Sequence, residues 1–447
     1  MKSRHVLWNV LVVIVVCVTL VACAPPAAEP TAEPAVEPTE EPAEAPEGVI
    51  HYLTVQQEDE GWPLLLSQLT TECQAEHPGL SWEYEYVTQD DLSQHIQLLA
   101  GSDSLPELFN YESGAPLIDL VDSGQVVEVE ELFTDLGIMD ALNPAAVTLL
   151  KGLVNGIGLY ALPMELNVEG FWYNKAIFDQ YGLDVPTTWD EMLAAADTLN
   201  DAGVQPFAVS GMQAWPITRL INGYVVRYYG YDAMARLIAG ELSATDEGFV
   251  EAAQVIQDMA LADYFGPGVN TLDYGPAQDL FLQGEAAMFY MGSWALRDFN
   301  NPEVNLIGAD NIGYFNIPVV EGGVGTMADY SINAGLTTSL GQTAYDENPE
   351  AVGAWLQCVM PKYGDQAMSE LGLITGFAVS EVPDDVSALT QMTLAELAGA
   401  ENGFPWFEAY FDSRTQDIAT SNAQLLVTGD ITPEDYMAEL QAAIDAQ

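Results

Sequence analysis

The sequence predicts an α/β protein of two lobes, each a mostly parallel sheet flanked by helices. Two observations carry that expectation. Segments with strand period alternate along the chain with segments of helical period, which is the mark of βαβ units. The same alternation then restarts in the middle of a 447-residue chain, a length of about three domains at roughly 150 residues each. Hydrophobic residues make up 49% of the chain, enough for a sizeable core and against global disorder.

In order, Val49 to Val55 reads as a strand ending at Gln56-Gln57. Gly61 to Glu76 carries Leu64, Leu65, Leu69 and Cys73 at helical spacing and stops before Pro78-Gly79. Leu80, Trp82, Tyr84 and Tyr86 alternate with polar residues, the period of a strand. A helix from about Asp90 to Leu99, a short strand Leu108 to Tyr111 and a helix Ala115 to Val121, ended by Gly124, follow. In the middle, Gly170 to Tyr173 is a strand and Asn174 caps a helix that begins at Lys175. Thr188-Trp189-Asp190-Glu191 is a capping box, in which Glu191 reaches back to the Thr188 amide. Asp279 to Gln283 closes a helix before Gly284, and Ala286 to Met291 is a strand running into Gly292-Ser293-Trp294. The C-terminal stretch is helical, with a stop at Gly429-Asp430.

Charge excludes whole classes of partner. Lys and Arg total 10 against 67 Asp and Glu, a formal net charge of -57. Such a chain repels nucleic acid and anionic lipid, because it has no basic surface on which to release counterions. At the start, Lys2 and Arg4 precede an apolar run from Val6 to Ala22, 17 residues long. That is short of the roughly 20 a spanning helix prefers and fits a secretory segment. Leu20-Val21-Ala22-Cys23 resembles a bacterial lipobox, so residues 1–22 are expected to leave as a lipoprotein signal and Cys23 to carry lipid. Residues 23–48 read as a tether: Pro30, Pro34, Pro38, Pro42 and Pro46 recur among Glu, Ala and Thr. At about 3.1 Å per residue such a segment reaches roughly 75 Å. Cys17 leaves with the signal and Cys23 is the anchor, so Cys73 and Cys358 are the candidates for a disulfide; their distance in sequence leaves pairing open, and two buried free thiols are the expected state.

No catalytic signature stands out. His51, His77 and His95 lie in neither HExxH nor zinc-ligand spacing, and GxSxG, P-loop and GxGxxG patterns are absent from the sequence. Acidic pairs such as Asp90-Asp91 and Asp384-Asp385 arise readily by chance among so many acids, and Asp90-Asp91 suits a helix start. No enzyme activity, metal or cofactor is expected. The aromatics are more informative. Tyr111, Trp172, Tyr173, Trp215, Tyr290, Trp294, Trp406 and Phe407 fall at or near strand ends or loops. In α/β lobes ligands sit beyond the carboxyl ends of strands, and aromatic faces there suit the C–H surfaces of sugar rings. Trp172 and Tyr173, on a strand, are assigned to the core; Trp294, just past one, is assigned to ligand.

Several stretches together resemble a known family. Leu105-Pro106-Glu107-Leu108-Phe109, Tyr160-Ala161-Leu162-Pro163 with Trp172-Tyr173-Asn174-Lys175, Pro186-Thr187-Thr188-Trp189-Asp190-Glu191, and Phe281-Leu282-Gln283-Gly284-Glu285-Ala286-Ala287-Met288 before Gly292-Ser293-Trp294 run in one order. They are similar to the hallmarks of the extracellular solute-binding proteins of ABC importers, in the sugar-binding group that includes maltose-binding protein. The resemblance covers about residues 49 to 445. It implies a periplasmic-binding-protein-like fold of type II, with a hinge between lobes: residues 49–163 plus 325–362 as one, 164–324 plus 363–447 as the other. Crossings are expected near Pro163 to Glu165, near Pro318 to Met327, and beyond about Lys362.

The same resemblance implies a function: a substrate-binding lipoprotein that captures a neutral sugar or oligosaccharide and delivers it to the transmembrane subunits of an ABC permease. It would stand outside the cytoplasm as a monomer, held to the membrane by its lipid. Carried over position by position, Trp294 matches the tryptophan that stacks on sugar, and Tyr111 an aromatic at the end of the third strand, with Glu112 beside it. Gln56 and Glu58 fall in a loop that supplies polar contacts, and Glu165 and Asn167 lie where a family carboxylate meets ligand. Trp215 matches a wall of the cleft, while Trp406, Phe407 and Arg414 follow Pro405 in a region that departs in length from the family pattern. Arg219 and Arg297 are expected to pair with nearby carboxylates, and Lys175 to belong to a helix start. Two rivals remain: a cationic, polyamine-type solute in place of sugar, and a surface carbohydrate-active enzyme.

Overall fold

The computed structural model describes residues 47–58 and 61–447; the signal 1–22, Cys23 and the tether up to residue 46 lie outside the described residues. Among the described residues ten strands carry the fold: β1 (Glu47–Thr54), β2 (Gly79–Tyr86), β3 (Leu108–Tyr111), β4 (Asn167–Asn174), β5 (Gln205–Ala208), β6 (Ala286–Gly292), β7 (Ile312–Phe315), β8 (Asp329–Asn333), β9 (Thr337–Ser339) and β10 (Asn402–Phe404). They form two sheets. The smaller has the order β2-β1-β3-β9 and the larger β10-β8-β4-β6-β5, with β7 also on β4.

In the smaller sheet β1 runs parallel to β2 and β3, with Tyr52 opposite Tyr84 and Leu108, and β9 closes the edge antiparallel to β3. The period-2 pattern of β2 does what it predicts. Leu80, Trp82 and Tyr84 pack on the core beside Tyr52 and Trp62, and the Trp82 ring stacks on Trp355 at 5.8 Å between centroids. Trp355 comes from the helix Pro349–Gln366, which lies beside the helix Gly61–Glu76. These two helices bring Cys73 and Cys358 to a Cα–Cα distance of 6.0 Å, and the thiols are joined as a disulfide. The expectation of two free thiols is thereby corrected. Separation along the chain carries no information about two helices that share one sheet face.

The larger sheet is mixed. β5 is parallel to β6 and β10 to β8, whereas β4 runs antiparallel to β6, β7 and β8. β4 is covered on both sides, so its neighbours alternate between two cores: Phe171 packs in one with Trp189, Phe207 and Phe315, Trp172 in the other with Phe281, Phe289 and Phe299. Trp172 is wholly buried and donates its indole N–H to the Met291 carbonyl at 2.9 Å, the core role expected of it. The capping box forms as well: Thr188 Oγ1 accepts from the Glu191 amide at 3.1 Å, and Glu191 Oε2 accepts from the Thr188 amide at 3.2 Å.

The chain passes between the sheets three times. The first passage, residues 163–166, leads from Leu162, bridged to Thr338 of β9, into β4. The second, residues 334–336, joins β8 in the larger sheet to β9 in the smaller. The sequence placed that crossing at Pro318 to Met327; that stretch is instead a loop of the larger lobe, held by Arg227. Arg227 Nε donates to the Ile317 carbonyl at 2.8 Å, and the Gly325 amide donates to the Arg227 carbonyl at 3.0 Å. The third passage follows the helix Pro349–Gln366 and is laced to the first, with Leu166 N–H on Ile374 O at 2.9 Å and Gly376 N–H on Pro163 O at 3.0 Å.

Candidate functional site

A cleft of about 370 Å³ lies between the two lobes and is lined from both. Its floor is the waist. Glu165, in the first passage, is buried there against Gly335 of the second, whose φ of +62° suits a glycine and whose missing Cβ leaves room for the carboxylate. Asn167 Nδ2 donates to Glu165 Oε2 at 3.1 Å, and Ser293 Oγ holds the other end of that amide at 3.0 Å. Burial pushes the Glu165 carboxyl up to about 7, against the pull of the Asn167 amide and the Arg297 charge.

The indole wall is built by local sequence. Trp294 follows β6 directly, and a Cβ on Gly292 would fall inside the Trp294 ring, so the glycine two residues earlier lets the indole fold back over the strand end. Trp215 opens the helix Trp215–Tyr229 ahead of Pro216, which suits a first turn. Its ring meets Trp294 edge-on, centroids 5.9 Å apart. One turn along, the Arg219 guanidinium stands 4.2 Å from the Trp215 ring centroid, 4.3 Å from Trp406 and 5.9 Å from Trp294. Cations attract the negative faces of such rings.

Arg219 Nη1 donates to Glu169 Oε1 at 2.9 Å, and Glu169, wholly buried, also accepts from Asn333 Nδ2 at 2.6 Å and Tyr290 Oη at 3.0 Å. Two more carboxylates stand near the same cation. Glu112, just past β3, accepts from Gln416 Nε2 at 3.2 Å, and Glu408 accepts from Thr218 Oγ1. Burial raises the pKa of both, and for Glu112 the neighbouring Glu408 raises it further, while Arg219 opposes the rise. Elsewhere in the lining, Tyr274 donates to Gln278, Gln278 to Asp298 at 2.8 Å, and Arg297 Nε to Asp298 at 3.1 Å.

Of the residues singled out from sequence, Gln56, Glu112, Glu165, Trp215, Trp294 and Trp406 line this cleft. Others do not. Tyr111 is buried among Leu53, Phe109 and Leu117, because β3 is covered on both faces, and it is the next residue, Glu112, that reaches the cleft. Asn167 lies beneath Glu165 and orients it. Glu58 and Arg414 are exposed and away from the lining. The side chain of Phe407 lies outside the described residues. Arg219 and Arg297 both have the carboxylate partners expected of them, yet both also line the cleft. Sequence reasoning missed Trp62, Tyr274, Asp298 and Asn333. Trp62 sits one residue past Gly61 at a helix start beyond β1, which is the one local signal that pointed to it.

What the arrangement offers is a set of ring faces beside fixed carboxylates, amides and guanidinium N–H groups, with the indole N–H of Trp406 buried and without a hydrogen-bond partner among the described residues. Such a lining suits a guest with flat C–H faces and a fringe of hydroxyls. Among the described residues no helix is long and apolar enough to cross a membrane, and no group of three or more His, Cys, Asp or Glu is placed to hold a metal ion.

The profile of a family described as bacterial extracellular solute-binding protein matches residues 57–360. An uncharacterized ABC transporter extracellular-binding protein of Pyrococcus horikoshii is 25% identical over 253 residues, 55% of this chain and 55% of the relative. A probable sugar-binding periplasmic protein of Rhizobium meliloti is 23% identical over 342 residues, 74% of this chain and 78% of the relative. The chain spans about half the length of the Pyrococcus relatives it matches. Among solved structures, a chitin oligosaccharide binding protein superposes with a TM-score of 0.82 at 23% identity, covering 90% of this chain and 98% of that one. A second, described as bound to raffinose, gives 0.70 at 20%, covering 89% and 99%. At these identities the likeness shows the fold: the two-lobed, type II architecture of solute-binding proteins.

Proposed function

We propose that this chain, which belongs to the bacterial extracellular solute-binding proteins, captures a neutral sugar or oligosaccharide between its lobes and delivers it to the membrane-spanning subunits of an ABC importer. The observation that carries the proposal is the cleft shared by both lobes, with Trp294 and Trp215 beside Glu112 and Glu165. Stacking on an aromatic face contributes about 0.5–1.5 kcal/mol, and hydrogen bonds to hydroxyls set orientation. Closure over the guest supplies the difference in affinity between open and closed states that a permease reads. The Cys73–Cys358 disulfide accords with an oxidising compartment outside the cytoplasm. There the chain works as a monomer held by lipid on Cys23, with residues 23–48 as the tether, and it binds its guest without chemical change.

The lining also favours a cationic guest in one respect: three carboxylates, Glu112, Glu165 and Asp298, face two guanidinium groups, Arg219 and Arg297. Salt separates the two ligand classes, since a polyamine site loses affinity steeply as ionic strength rises and a sugar site barely changes. The deciding experiment is a thermal-shift panel of mono- and oligosaccharides with spermidine and putrescine. A guest that binds only the folded chain raises its melting temperature. A rise with oligosaccharides that persists at high salt supports capture of sugar; a rise with amines alone overturns it.

A further inference from the structure

The lobes touch again beside the cleft, next to the lining residue Glu112. Residues 112–119 follow β3 of the smaller lobe, and residues 408–416 belong to the larger. A Cβ on Gly114, whose φ is +118°, would overlap the Ala409 carbonyl across the rim. Gln416 Nε2 bridges the gap, within 3.2 Å of Glu112 Oε2 and 2.9 Å of the Glu408 carbonyl. Gln97 Nε2 donates to Ser413 Oγ at 3.3 Å close by. The surfaces so joined are both acidic.

We propose that this rim contact is a proton-linked latch: it forms as the lobes meet, it requires glycine at 114, and it strengthens when protons neutralise Glu112 and Asp119, which closure brings against the carboxylates of residues 408 and 412. The proposal rests on the cleft being a capture site that opens and closes.

Every charged neighbour of these groups bears on the sign. Glu112 faces Glu408, Tyr111 and the cation Arg219, and Glu408 in turn faces Arg219 and Glu169, the carboxylate that holds that guanidinium. Asp119, on the helix Ala115–Asp122, faces Asp412 across the rim and Asp122 on its own helix. Asp412 caps the helix Ser413–Thr428, accepting from the Thr415 amide at 2.7 Å, and Arg414 is exposed on the first turn of that helix. Burial comes first among the causes that raise Glu112 and Asp119, and the carboxylate across the rim second. Parting the lobes takes Glu112 and Asp119 away from the carboxylates across the rim, so the closed state binds protons more tightly than the open one and closure gains as pH falls. The Gln416 bridge survives protonation of Glu112, because one carboxyl oxygen still accepts.

The test needs no ligand. Small-angle scattering of the unliganded chain should give a smaller radius of gyration for Glu112→Gln/Asp119→Asn than for wild type at pH 8, and the two should converge at pH 5. Gly114→Val should keep the larger radius at pH 5, where wild type contracts. Gly124→Val supplies the control for backbone strain, since Gly124 has a φ of +70° and nothing within 4 Å of its Cβ position. It should contract like wild type. Equal radii for wild type and the double variant at pH 8 overturn the proton linkage, and a compact Gly114→Val, or an equally open Gly124→Val, overturns the role of Gly114. Should Gly114→Val not fold, the double variant still decides. Because no sugar is present, these radii respond independently of the glycan panel, so failure of the latch and failure of sugar capture are told apart.

Discussion

Arg219 donates through Nη1 to Glu169 Oε1 at 2.9 Å, and the carboxylate that receives it has no exposed surface. The guanidinium is 13% exposed and faces the cleft, so a single buried pair joins the floor of the larger lobe to the lining. Removing one member of such a pair strands the other charge. Arg219→Met should destabilise the fold by about 3–5 kcal/mol, and Arg219→Met with Glu169→Gln should recover most of that loss. Urea unfolding of the two variants checks this; equal losses in both mean that the pair is worth little.

Trp294 lines the cleft beside Trp215, the two rings 5.9 Å apart between centroids and inclined at 66°. Trp294→Ala should weaken sugar binding roughly three- to tenfold, the equivalent of one stacking contact, and leave the melting temperature of the unliganded chain within a few degrees of wild type. Calorimetry that returns an unchanged affinity removes Trp294 from the site.

Much of this was written locally in the sequence, and the parts that were not share a physical cause. Caps and alternation depend on residues within a turn or two, so the Thr188–Glu191 box and the core face of β2 appear where the spacing put them. Trp294 was also legible, because its glycine stands two residues away. Tyr111 stands one residue short of the lining, since its place at a strand end does not say whether its side chain or that of Glu112 turns toward the cleft. The second crossing was displaced because the family resemblance implied its place only approximately, and residues 318–327 are instead held in the larger lobe by Arg227 from a distant helix. Trp62, Tyr274 and the sandwich around Arg219 depend on two or three segments meeting, which no window of sequence contains.

Glu165 should make stability depend on pH. Its folded-state pKa, about 7, stands above the ordinary carboxylate value. The cost of keeping it buried is therefore absent below about pH 4 and grows as pH rises toward 7. Glu165→Gln should remove that component and raise stability at pH 8 by about 1–3 kcal/mol, with no gain at pH 4. Thermal unfolding at the two pH values reads it; a Gln variant less stable than wild type at pH 8 shows that the carboxylate is held ionised.

The Cys73–Cys358 bond links helices 285 residues apart in sequence. Replacing both with Ser should cost about 2–5 kcal/mol. Reduction of the wild type should lower its melting temperature by a similar margin, and no change on reduction shows the thiols to be unpaired in solution.

Three passages of chain run through the waist, and the first and third are laced by Leu166 to Ile374 and Gly376 to Pro163. One strap would allow the halves to swivel about it as well as nod. Three side by side behave like the spine of a book: they bend along one line and resist being wrung. The facing pages thus come back into the same alignment at every turn, which lets Glu112 and Gln416, far from the spine, find each other across the margin.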